Sequence, residues 1–190
     1  MVSLLFLIKG YIMLKDILED VLNEKYVNLL NDKEKELYKD RIYDLLQKAY
    51  EPIGGLKGSG FKDSDDMVEN IKMWKIEIKN DEILAGIMYK DKKFRKGVAV
   101  FTNGTKEGKK SLVKMLKDDF SRSIIEVSGP LLKFLENNLP KLVDKYKKTC
   151  DEASKLLNKE VKCIDGYKYE RTINGNVLTK LMIGTGKKFY

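Results

Sequence analysis

Histidine is absent from the 190 residues. Its absence removes Ser-His-Asp and Cys-His nucleophilic catalysis and nearly all catalytic zinc arrangements. Any chemistry here runs on carboxylates, Tyr, Ser, Lys or bound water. Arginine is scarce: of 37 basic residues, only Arg41, Arg95, Arg122 and Arg171 are Arg. Forked recognition of phosphates and bases favours Arg over Lys. The two cysteines, Cys150 and Cys163, sit in no CxxC pattern, so neither a disulfide framework nor a metal site is expected. Buried free thiols in a reducing cytoplasm are. Long hydrophobic runs are also lacking. Residues 2–8 are apolar, but no basic segment precedes them, no small-residue cleavage site follows, and the run is too short to span a bilayer. Residues 1–13 therefore read as an extension from an upstream start, or as a short strand or flap.

What is present points to one folded domain. Hydrophobic residues make up 43% and charged residues 35%, interleaved at regular spacing, which supplies a core and argues against disorder. The net charge of +8 suits a phosphate-bearing partner such as nucleic acid, an anionic membrane surface or a nucleotide-like cofactor. A plainly solvated lysine surface accounts for it equally well.

Along the chain, Leu14, Ile17, Leu18, Val21, Leu22 and Leu29 form a helical stripe over 14–30, and Asn31 with Asp32 supplies a stop and a cap. A second helix over 33–49 completes a helical hairpin, 14–50. The loop from Ile53 to Phe61 holds Gly54, Gly55, Gly58 and Gly60, which permits close backbone approach to a ligand or a flexible connection. A short helix follows Ser64. Alternating patterns at 73–79, 82–90 and 96–102 give three consecutive strands, expected as an antiparallel meander. The period then becomes helical, with Leu112, Val113, Leu116 and Phe120 on one face and Lys109, Lys110, Lys114 and Lys117 on the other. A strand at 123–128, helices at 130–139 and 141–157, and a hairpin at 167–183 turning on Asn174-Gly175 complete the order. The expected fold is α+β, a single mixed and mostly antiparallel sheet flanked by helices, with 51–190 as the sheet core.

The turn into the long helix carries the chemistry. Residues 102–111 invite a P-loop reading, but Asn103 stands where GxxxxGK[ST] needs its first Gly, and Lys110 where it needs Ser or Thr. The preceding strands are also consecutive, so nucleotide hydrolysis is not expected. Backbone N–H groups from Thr105 to Lys109, with Lys106, Lys109 and Lys110, instead form a candidate pyrophosphate site at a helix start.

Three meandering strands, this turn and helix, a further strand and a further helix resemble the acetyl-CoA-binding core of the GNAT acetyltransferases over about residues 49–189. The phrases Pro52-Ile53-Gly54-Gly55, Gly104-Thr105-Lys106-Glu107-Gly108-Lys109 and Tyr169-Glu170-Arg171-Thr172-Ile173-Asn174-Gly175 are similar to small acetyltransferase-like proteins of tailed bacteriophages. The resemblance implies a cytoplasmic, acetyl-CoA-dependent N-acetyltransferase acting on an amine, its cofactor lying between the strands ending near Phe101 and Glu126. Cofactor contacts would come from Phe101, Thr102, Asn103, Gly104, Thr105, Lys106, Gly108, Lys109 and Lys110. The family's pyrophosphate motif falls on Thr105, Gly108 and Lys110, of which Gly108 matches. The family's leaving-group Tyr has no counterpart at 130–139; Tyr146 is nearest. Glu126 is the candidate base, with Glu77 behind it. The rival expectation is a non-catalytic basic module on such a fold, binding nucleic acid or a host protein.

Overall fold

The computed structural model describes residues 24–53, 61–90, 97–173 and 175–185. Expectations for the first 23 residues, for the glycine-rich stretch 54–60 and for Asn174 lie outside the described residues. Along the rest run β1 (Glu24–Leu29), α1 (Asp32–Tyr50), α2 (Ser64–Asn70), β2 (Met73–Lys79), β3 (Glu82–Tyr89), β4 (Gly97–Thr102), α3 (Lys106–Arg122), β5 (Ile125–Ser128), α4 (Gly129–Asn138), α5 (Pro140–Tyr146), α6 (Cys150–Leu157), β6 (Lys162–Cys163), β7 (Lys168–Ile173) and β8 (Asn176–Ile183). The class is α+β, and no described helix is long and apolar enough to cross a membrane.

The strands lie in the order β1-β2-β3-β4-β5-β8-β7-β6. Strands β1 to β4 are antiparallel to one another, as are β5 to β8. The two halves meet through one parallel pair, Gly97 with Val127. Just past it, β3 pairing passes from Tyr89↔Gly97 to Met88↔Ala99. The extra β4 residue is a bulge, which bends a strand and reassigns its faces. Beyond it, β4 and β5 part.

Helices cover both faces. On one, Leu112, Leu116 and Phe120 of α3, Leu131 and Leu135 of α4, and Val143 of α5 pack on Ile87, Val100, Val127 and Leu181. On the other, α1 and α2 bring Ile42, Leu46, Tyr50 and Met67 against Trp74, Ile76, Met88 and Phe101. Farther along that second face, α6 places Cys150 and Ala153 against Ile124, Tyr169 and Met182.

Three expectations are corrected. Residues 24–29 form a strand and not the end of a helix: β1 pairs antiparallel with β2, and Leu30 continues the contact by donating its N–H to Trp74 O at 3.0 Å. The helical-hairpin boundary at residue 50 therefore does not separate helices from sheet. The single helix over 141–157 is two helices. Lys147 pairs with Ile183 and Lys148 donates to Met182 O, after which Thr149 and Glu152 form a reciprocal capping box that starts α6. Finally, Cys150 and Cys163 are joined in a disulfide, with Cα atoms 5.8 Å apart. The free-thiol expectation fails, and with it the cysteine argument for a reducing compartment.

Candidate functional site

The turn from Thr102 to Lys110 is held largely by itself. Gly104 has φ of +84°, which a glycine adopts without strain, and its N–H donates to Thr102 Oγ1 at 3.1 Å. Asn103 Oδ1 accepts from the N–H and hydroxyl of Thr105, at 3.1 and 2.7 Å, while Asn103 Nδ2 donates to Glu82 Oε1 at 2.7 Å. Thr105 caps α3 by accepting the Gly108 N–H at 3.0 Å. A Cβ on Gly108 would stand 2.2 Å from Asn103 Oδ1 and 2.5 Å from Leu84 O. The glycine is thus required by the packing of α3 against β3 and the turn. Replacing it disturbs the fold and is not a clean probe of ligand binding. Phe101 is wholly buried in the α1-side core. Of the nine expected cofactor contacts, Phe101, Asn103, Thr105 and Gly108 are committed to internal structure.

A pyrophosphate fits this turn only on its outer side. The N–H groups of Lys106 and Glu107 have no partner among the described residues, and the side chains of Lys106, Lys109 and Lys110 are exposed. The first-turn carboxylate, Glu107, is drawn to Lys79 of β2 at 3.3 Å.

Glu126 on β5 is 5% exposed and lies in an ionic cluster. Its Oε1 accepts from Arg171 Nη1 at 2.8 Å and from the Tyr169 hydroxyl at 3.1 Å, and Lys180 Nζ is 3.5 Å from Oε2. Burial would raise its pKa, but the Lys180 charge, and then Arg171 by hydrogen bond and charge, outweigh burial and hold it below the ordinary value. A carboxylate held this firmly ionised is a weak base. Burial first, and then the Glu126 charge, push the Tyr169 phenol well above the usual range.

The expected pair of Glu126 and Tyr146 does not converge. Alternation along β5 places Ile125 and Val127 on the α3 side and Glu126 opposite, beside Tyr169 and Met182. Tyr146 ends α5 on the α3 side, its ring 6.0 Å from that of Phe120 and 5.1 Å from Lys145 Nζ. The two lie on opposite faces of the sheet. Glu77 is tied to the Ser111 hydroxyl.

The structure adds one residue that sequence reasoning passed over. Tyr50, the last residue of α1, is 1% exposed, and its hydroxyl accepts the N–H of Val100 at 3.1 Å. Val100 lies on the stretch of β4 that has no β5 partner. Burial, partly offset by the Val100 N–H, pushes the Tyr50 phenol up to about 12, so the hydroxyl keeps its proton at neutral pH. Only its place before Glu51-Pro52, where the helix must end, marked it in the sequence.

Around the parting of β4 and β5 the α3 side is closed. Val100, Val127, Leu131 and Leu135 leave an apolar space of about 10 Å³. Away from the parting, at the start of β3, an open cavity of about 270 Å³ is bounded by Arg41, Asp44 and Lys48 of α1, Glu82 and Ile83 of β3, and Asn103. Comparison with known proteins returns no relative: no family model, no curated protein and no solved structure matches the chain.

Proposed function

We propose that the chain is a GNAT-like N-acyltransferase that takes acetyl-CoA and passes the acetyl group to an amine of a protein, small molecule or nucleic acid. The strand order carries the reading. Four antiparallel strands are followed by a helix leaving the fourth strand through a glycine turn, and by a fifth strand that runs parallel to the fourth for one pair and then parts from it. When bound, the thioester supplies the reactive acyl carbonyl, and the chain supplies the rest. The outer side of the α3 turn offers Lys106, Lys109 and Lys110 to a pyrophosphate. Tyr50, enclosed against the Val100 N–H, holds the stretch of β4 without a β5 partner and is not exposed to a bound thioester. Glu126 orients Arg171, Tyr169 and Lys180 and takes no proton. A cytoplasmic setting belongs to this reading through its supply of acyl-CoA.

Calorimetry and thermal denaturation with acetyl-CoA and CoA test the proposal. The expected result is saturable heat and a raised melting temperature, both reduced by Lys109→Glu or Lys110→Glu. Absence of either effect at saturating ligand removes the enzyme reading. A second reading then stands, a non-catalytic basic binding module on the same framework. It is favoured by the filled α3 side of the parting and by Glu126 and Tyr146 lying on opposite faces.

A further inference from the structure

We propose that the outer face of α3 is a nucleic-acid-binding surface that holds the phosphate backbone without reading base sequence. Lys106, Lys110, Lys114 and Lys117 follow one another at steps of four, four and three residues, and all are exposed. At helical spacing they form one row, about 6 Å apart along the axis and about 16 Å long in all. Lys109 flanks the first two.

Four of these five lysines are not neutralised by any described residue. Lys106, Lys109, Lys110 and Lys117 have no carboxylate partner among the described residues. Glu107 is engaged by Lys79. The remaining acids of α3, Asp118 and Asp119, lie at its far end; Lys75 reaches both, at 3.4 and 2.6 Å, and Arg122 adds a second contact to Asp118 at 2.6 Å.

The charge is also segregated by face. On the opposite side of the sheet, α1 carries five residues of each sign and α2 three carboxylates, whereas α3 carries six cations against three carboxylates. Lys106 and Lys109 stand in the first turn of α3, where the helix dipole disfavours a cation. A phosphate laid across them relieves that repulsion.

The partner's class follows from what the face lacks. The large exposed apolar residues Leu29, Leu37, Ile164, Val177 and Leu178 all lie outside α3, α4 and α5. Among the described residues the face therefore offers no large exposed apolar side chain to enter a bilayer or to centre a protein interface. Residues 106–117 contain no Arg, Asn or Gln, the side chains that pair bidentately with base edges. Lysine alone gives phosphate contacts, which position without specifying. Lys106, Lys109 and Lys110 are shared with the proposed pyrophosphate site, whereas Lys114 and Lys117 lie outside it.

Fluorescence anisotropy of the intact chain with a short random-sequence DNA duplex, across a salt series, tests the inference. Four lysine contacts predict a slope of log K against log salt of about −3.6. The Lys114→Gln/Lys117→Gln variant should retain its circular dichroism spectrum, bind more weakly by roughly tenfold at low salt, and lose about 2 from the slope. These two lysines lie beyond the reach of a pyrophosphate at the helix start, so acyl-CoA binding should not change, and failure of one reading leaves the other standing. Lys33→Gln/Lys48→Gln on α1 should leave duplex binding intact. A slope shallower than about −1, insensitivity to the α3 pair, or equal affinity for phosphatidylserine vesicles with the same sensitivity overturns it.

Discussion

Glu126 shows how one side chain can have its chemistry fixed by its neighbours. Its carboxylate faces Arg171, Lys180 and the Tyr169 hydroxyl inside the sheet, and the two cations hold its pKa below the ordinary 4.5 against the opposing effect of burial. Because the folded value lies under the unfolded one, the ionised form stabilises the fold at all pH above 4.5. That contribution fades as pH falls from 4.5 through the lower folded value. Glu126→Gln removes the charge and leaves Arg171 and Lys180 facing a neutral amide, which costs about 3 kcal/mol, the lower end for breaking a buried pair because Arg171 is 28% exposed. Urea unfolding measured from neutral pH to below 4.5 should show the variant weaker at neutrality and less sensitive to acid. An unchanged acid limb would mean that Glu126 does not carry this linkage.

At the scale of elements, the disulfide ties the first residue of α6 to β6 across thirteen residues, closing the small core formed by Cys150, Ala153, Tyr169 and Met182. Loop-closure entropy for a crosslink of this length corresponds to about 3 kcal/mol. Reduction, or Cys163→Ser, should therefore lower the urea-derived stability by about 2–3 kcal/mol. A thiol titration finding two reactive sulfhydryls in the unreduced folded chain would contradict the bond itself. The pairing was not legible because it depends on where α6 and β6 meet in space. The locally encoded elements were legible: Asn31 stops one segment and caps α1 through Glu34, Trp74, Ile76 and Ile78 alternate along β2, and Gly175 turns the β7–β8 hairpin. Strand β1 was missed because its pairing with β2 is non-local, although the stripe read as a helix had a gap between Leu22 and Leu29. The division between α5 and α6 was signalled by Thr149 and Glu152, a capping box in mid-segment. The resemblance matched Gly108 to a pyrophosphate motif, where the structure shows a glycine required by the close approach of Asn103 and Leu84.

At the scale of the molecule, two antiparallel half-sheets joined by a single parallel pair would be expected to separate readily if strand pairing alone held them. The α3-side core argues otherwise, because Leu131 and Leu135 of α4 pack simultaneously with Val100 of the first half and with Val127 and Leu181 of the second. The leucines of α4 therefore couple the halves, and the intact protein should unfold in one step. Trp74, wholly buried in the first half with its Nε1 donating to Ile71 O at 3.1 Å, reports on that half, while far-UV circular dichroism reports on both. In urea the two signals should coincide. Leu135→Ala, at a fully buried position, should cost about 2–5 kcal/mol. It should also pull the signals apart, with helix and strand content falling before Trp74 becomes exposed. Coincident transitions in the variant, despite that loss of stability, would show that contacts elsewhere join the halves.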